Sequence, residues 1–201
     1  ERTTRAINIA TYYQSLPFSE SPPKLRRNDI LFTFPQVKDK LGSMLSSWLH
    51  VYGVIGPALS LYFAAKAGEH KYLDGKFLAL AQALETYHRR TSNDVLMDEK
   101  EFKNLVKSLV DGCPQEQRDW LKGRLTFGNE LSLANRLKKM FDPYSDQLGN
   151  SSKRNKLIRQ IVDTRNYLTH YSKELESKAA RGRHLWKLCM KMEVIFQLCL
   201  L

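Results

Sequence analysis

Apolar residues that recur every three or four positions constrain this chain more than any other feature, because that period is the stripe of an α-helix buried on one side. From Val37 the pattern runs through Leu41, Met44, Leu45, Trp48, Leu49 and Tyr52 until Gly53 and the Gly56-Pro57 pair interrupt it. Pro57 suits the first turn of a second helix, which carries Leu59, Leu61, Tyr62 and Phe63 toward Gly68. A third helix is predicted from about Tyr72 to Arg90, with Leu73, Phe77, Leu80, Ala81, Leu84 and Tyr87 on one stripe. Asp98 and Glu101 open a fourth in capping-box spacing, Gly112 ends it, and Pro114 opens a short fifth with Trp120 and Leu121. A sixth covers Leu131 to Phe141, Ser151 or Ser152 caps a seventh from about Lys153 to Leu175, and a last helix starts near Gly182. Strand signals are nearly absent, so the expected fold class is all-α, a helical bundle.

A chain of 201 residues with 42% hydrophobic content can bury a real core, and one helical domain is expected over residues 36–201. Residues 1–35 differ. Pro17, Pro22, Pro23 and Pro35 punctuate them, and their one compact apolar run, Ile30-Leu31-Phe32-Thr33-Phe34, reads as extended. They are expected to be a linker or the trailing segment of an upstream domain. The sequence opens on Glu1 and stops inside an apolar helical pattern, which suggests a piece of a longer chain. Cys113, Cys189 and Cys199 are odd in number and widely spaced, which argues against a disulfide scaffold or a cysteine zinc site and favours a cytoplasmic setting. The final apolar run is broken by Lys187, Lys191, Glu193 and Gln197, too polar for a membrane span, so no membrane partner is expected.

The formal net charge is +11, and the excess is concentrated: residues 150–187 hold ten Lys or Arg against three Asp or Glu. Such a patch suits a phosphate backbone, an acidic protein or an acidic membrane surface, and it is equally what a solvated face of ordinary helices looks like.

Within that segment lies Arg165-Asn166-Tyr167-Leu168-Thr169-His170. Arg supplies a permanent cation with a planar donor fork suited to phosphate, and His is the side chain that exchanges a proton near neutrality. On an ideal helix Leu157, Ile158, Ile161, Val162 and Leu168 form the core face, and Arg165 falls near the middle of it, where it needs an anionic partner. Glu85, beside the apolar stripe of the third helix, is the candidate, either orienting Arg165 for phosphate chemistry or making a plain interhelix ion pair. Arg159, Asp163, Asn166 and His170 make a polar ridge on the far side. A pair five residues apart sits about 140° around the axis and about 7.5 Å along it, so Arg165 and His170 do not share a face. Either the helix is distorted, or Arg165 reaches around, or two chains meet. His88, on the stripe of Phe77, Ala81 and Leu84, reads as a core-edge histidine satisfied by one hydrogen bond. No metal-ligand spacing, Gly-rich phosphate loop, nucleophile elbow or carboxylate cluster occurs, so neither a metal nor a cofactor is expected.

Arg165, Asn166 and His170 match the Arg, polar residue, then His pattern of catalytic HEPN domains. The run from Phe77 to Arg89, followed much later by Thr164 to Tyr171, resembles the C-terminal HEPN domain of ApeA-like abortive-infection proteins, over about residues 37–201. The resemblance implies an antiparallel HEPN-like bundle with extra helices, and a metal-independent endoribonuclease of a phage-defence or toxin system acting as a homodimer with a composite site. It implies that His170 exchanges protons with the ribose or leaving oxygen, that Arg165 stabilises phosphate charge, that Asn166 orients one of them and that Glu85 positions Arg165. RNA is the implied partner, held by Lys156, Arg159 and Lys173, with Tyr167 and Tyr171 either stacking on bases or packing on the bundle, and an upstream sensor domain is expected in the same longer chain. Two rivals stand beside it: a non-catalytic HEPN-like module that dimerises or binds RNA or nucleotide, and a basic helical scaffold for an acidic protein or membrane surface.

Overall fold

The computed structural model describes residues 32–68 and 70–200. The helices are α1 (Phe34–Val37), α2 (Leu41–Ala67), α3 (Leu73–Thr91), α4 (Glu99–Asp111), α5 (Arg118–Leu125), α6 (Leu133–Phe141), α7 (Ser145–Leu148), α8 (Ser151–His170), α9 (Lys173–Glu176) and α10 (Gly182–Cys199). Among the described residues the only β pairing is an isolated bridge between Val95 and Glu130, so the molecule is all-α, as its periodicity predicts. Contacts divide the chain into two units, one up to Trp48 and one from Leu49.

In the first unit the extended reading of residues 30–34 needs correction at its end. Ile30 and Leu31 lie outside the described residues, and Phe34 opens a helical turn because the Gln36 side chain accepts the Thr33 backbone N–H at 2.7 Å. In the second unit the predicted break at Gly53 to Pro57 is absent, since α2 runs unbroken to Ala67. Pro57 forfeits one backbone hydrogen bond. That loss is offset because burial begins just there, with Ile55, Gly56, Ala58, Leu59, Tyr62 and Ala65 all in the core. This 27-residue helix is long and apolar enough to cross a membrane by length and composition; its most apolar 18-residue stretch has mean hydropathy 1.3, and 33% of that stretch is buried inside the protein.

The second unit is organised around α3. Phe77, Ala79, Leu80, Ala81, Ala83, Leu84 and His88 are all buried, and this central helix packs against α10, α8 and α6. The small side chains Ala79, Ala81 and Ala83 let neighbours approach on several sides, while Phe77 and Leu84 fill the space between them. From α2, Tyr62 stacks on Phe196 of α10 with ring centroids 4.6 Å apart and accepts a hydrogen bond from Gln197. Tyr87 meets the same Phe196 ring edge-on and donates its hydroxyl to the Cys199 carbonyl at 2.6 Å. The Cys189 and Cys199 thiols sit among these apolar groups, and burial pushes both up to about 11, which makes them inert packing residues at neutral pH.

Loops fix the approach of the outer helices. Asp98 caps α4 by accepting the Lys100 and Glu101 backbone N–H groups, as its spacing predicts. Asn129 clasps the loop before α4: its side chain both accepts from Met97 N–H and donates to the Met97 carbonyl, each at 3.0 Å. That clasp places the neighbouring Glu130 against α3.

Candidate functional site

Helix α8 carries most of the candidate residues, and its limits differ from the predicted ones. Asn150, not Ser151 or Ser152, caps it, accepting Lys153 N–H at 3.0 Å, after Gly149 turns the chain with φ +85°. It ends at His170 rather than Leu175, because Tyr171 takes a left-handed conformation (φ 51°) and Ser172 is extended. The core face is also rotated from the expected one. Ile158, Ile161, Thr164 and Leu168 are buried, and Leu157 and Val162 are only half-buried. Thr164 is tolerated there because its hydroxyl accepts the Ala180 N–H at 2.9 Å.

With that rotation Arg165 sits at the flank of the core, not in its middle, and its side chain is 37% exposed. Its Nη1 donates to Asn166 Oδ1 at 3.1 Å, and its Nη2 stands 3.9 Å from Glu85 Oε2 across the α3–α8 cleft. Glu85 is held more closely by a residue the sequence reading missed. Arg89, one turn further along α3, donates Nε and Nη2 to Glu85 Oε1 at 3.3 and 3.2 Å, and its Nη1 lies 2.5 Å from Glu130 Oε2. The i, i+4 spacing of Glu85 and Arg89 was a legible signal for this pair. Burial works against the Arg89 charge, but Glu130 and Glu85 outweigh it and hold the guanidinium above the ordinary arginine range. Glu85, Arg89 and Arg165, with Gln82, Thr86 and Thr169, line a cavity of about 440 Å³. Leu78 and Ala81 complete its lining, and it carries two guanidinium groups on one carboxylate.

The network continues inward. Glu130 also faces buried Arg136, whose Nε donates to the Leu131 carbonyl and whose Nη1 lies 3.2 Å from His88 Nδ1. Because arginine only donates, His88 Nδ1 accepts there and its proton sits on Nε2, facing Asp94 at 3.6 Å. Burial, then the Arg136 charge, pushes the His88 pKa down. This is the satisfied core-edge histidine that the stripe predicts.

His170 is exposed at the end of α8, and among the described residues no side chain hydrogen-bonds or ion-pairs with it. The helix is regular from Arg165 to His170, so distortion does not bring them together, and Arg165 reaches to Asn166 and Glu85 instead. Asn166 therefore touches Arg165. On the outer ridge Lys156 and Arg159 line a second polar cavity of about 470 Å³ with Asp163 and Lys178. Tyr167 and Tyr171 meet edge to face at 5.4 Å, and Arg181 lies over the Tyr167 ring and donates to its hydroxyl at 2.6 Å. That contact ties Tyr167 to the bundle. Tyr171 and Lys173 are exposed. Among the described residues no three of His, Cys, Asp and Glu converge in a way that holds a metal.

Comparison with protein families matches the Apea-like HEPN model over residues 78–201, a span that begins inside α3 and includes both Glu85 and the Arg165 to His170 segment. The chain belongs to the Apea-like HEPN family. No curated protein and no solved structure matches it. HEPN domains are generally ribonucleases that typically dimerise and bind RNA, and the α3–α8 pairing described above lies wholly within the HEPN match.

Proposed function

We propose that this HEPN domain is a metal-independent endoribonuclease, the effector part of a phage-defence or toxin system, whose site is completed by a second copy of the chain. The observation that carries this reading is the split of the motif: Arg165 turns into the α3–α8 cleft beside Glu85, while His170 stands exposed at the helix end. One copy presents a phosphate-binding cation and a proton carrier on different faces. Two copies related by a two-fold axis bring an Arg165 and a His170 from each chain to one phosphodiester.

In the reaction, the ribose 2′-oxygen attacks phosphorus and the 5′-oxygen leaves, which gives a 2′,3′-cyclic phosphate and a 5′-hydroxyl end. One His170 takes the 2′-hydroxyl proton, and the protonated His170 of the other copy supplies a proton to the leaving oxygen. Arg165 donates to the non-bridging oxygens as charge builds on them. Asn166 accepts from one arm of the guanidinium and Glu85 faces the other at 3.9 Å, which biases the fork toward the cleft and leaves it free to engage phosphate. Lys156, Arg159 and Lys173 hold the RNA backbone without reading sequence, and Tyr171 offers a ring for a base. Residues 1–35 join this domain to an upstream sensor.

The deciding experiment incubates the protein with RNA in EDTA beside His170→Ala. Cleavage that survives chelation and disappears in the variant, with oligomeric state unchanged, is the expected result. Equal cutting by the variant overturns the assignment of His170. RNA binding by both proteins without cleavage by either leaves the non-catalytic module as the correct reading.

A further inference from the structure

A second surface shares no lining residue with the Glu85 cleft. On its core side α10 buries Leu185, Leu188, Met192, Ile195 and Phe196, yet Trp186, Met190 and Val194 are 52%, 39% and 51% exposed. These three follow one another at intervals of four, an apolar stripe on the outer side of the helix about 12 Å long. Helix α10 packs chiefly on α3, and α8 packs on α6 and α3, so a groove of about 610 Å³ opens between α8 and α10. Leu157, Met190, Val194 and Ile195 give it an aliphatic floor, and Lys153, Lys156 and Lys191 stand along it.

We propose that this groove docks an acidic amphipathic helix of another protein. The stripe matches two to three turns of a partner helix with anchors at i, i+4 and i+7, and the lysines match acidic residues flanking those anchors. Charge decides against the occupants nearest to hand. A second copy, seated symmetrically, would set these lysines against themselves, with no acidic residue in the lining to answer them. Residues 1–31 carry five Lys or Arg against three Asp or Glu, the wrong sign for a lysine-lined groove. RNA has the right sign, but its bases stack on aromatic rings, and the apolar lining of the groove is aliphatic, with Trp186 outside it.

The test uses the whole chain and a fluorescent synthetic helix of about 15 residues, leucines on one face and glutamates on the other. Its comparators are a scrambled isomer, a lysine-for-glutamate version, a uridine oligonucleotide and phosphatidylserine vesicles. Binding read by anisotropy is expected to be about 10-fold tighter for the ordered acidic peptide than for its scrambled isomer, and about 10-fold weaker in Lys153→Glu/Lys191→Glu. Lys100→Glu/Lys107→Glu on α4 removes the same charge elsewhere and is expected to leave binding unchanged. Val194→Ser, at a half-exposed position that keeps the fold, is expected to weaken binding without any change of charge. The proposal is overturned if the scrambled peptide binds as well, if the α4 pair weakens binding as much as the groove pair, or if the groove substitutions weaken the oligonucleotide or the vesicles more than the peptide.

Discussion

Two carboxylates on the bundle, Glu193 on α10 and Glu85 on α3, each face two cations, and the difference between them separates a staple from a site. Glu193 is 3% exposed, with Lys66 Nζ at 3.1 Å and Lys76 Nζ at 2.6 Å from its two oxygens. Burial pushes its pKa up, but the Lys76 and Lys66 contacts outweigh this and hold it below the usual carboxylate range. Lys66 donates to one oxygen and Lys76 is ion-paired with the other, so three helices are pinned together. Glu85 is 22% exposed, grips Arg89 at 3.2 Å and leaves Arg165 at 3.9 Å, within reach of water and ligand. A closed ion cluster stabilises, whereas one with a loosely held member has a cation to offer.

The largest expected effect lies on the open side. Arg165→Ala is expected to lower RNA cleavage by about 10² to 10³-fold with little change in urea midpoint, since a partly exposed cation is lost from the transition state and not from the core. On the closed side, Lys66→Met/Lys76→Met leaves a buried carboxylate unpaired and is expected to cost about 3–5 kcal/mol in chemical denaturation. The pH profile sharpens this. In the parent the Glu193 pKa is depressed on folding, so its stabilisation is present above the unfolded-state carboxylate pKa and is lost as pH falls through the folded value. In the double variant the unpaired carboxylate titrates high, and stability is expected to rise as pH falls, the opposite slope.

Glu85→Gln is expected to reduce cleavage by about 10-fold and to move stability by less than about 1 kcal/mol; a large stability loss with unchanged cleavage would make Glu85 another staple. Asn150→Ala removes the α8 cap and is expected to cost about 1 kcal/mol. The smallest effect is at His88. Its pKa is depressed on folding, so stability is full above the unfolded-state histidine pKa and declines as pH falls below it, a slope that His88→Phe is expected to flatten.

The members of the open cluster were not equally legible. Periodicity found the α3 stripe because Phe77, Leu80, Ala81 and Leu84 repeat at helical spacing, and it placed Glu85 beside that stripe. It also drew Arg165 and Glu85 together, since charges bordering two apolar faces need each other. Glu130 was out of reach because it comes from a loop whose position depends on the Asn129 clasp, a tertiary fact. Thr164 hid for a related reason: a hydroxyl on the core face looks polar until the Ala180 N–H that satisfies it is known. Gly53, Gly56 and Pro57 read as a break because local propensity opposes a helix there, and burial of the following residues outweighed it in α2.

The left-handed turn at Tyr171 makes His170 the last rung of α8. Arg165 and His170 are therefore indexed by the screw of a single helix, and no repacking elsewhere in the bundle can alter the angle between them. One residue inserted between the two would swing the imidazole by about 100° and carry it about 1.5 Å along the axis. In this helix the length of the spacer acts as a phase.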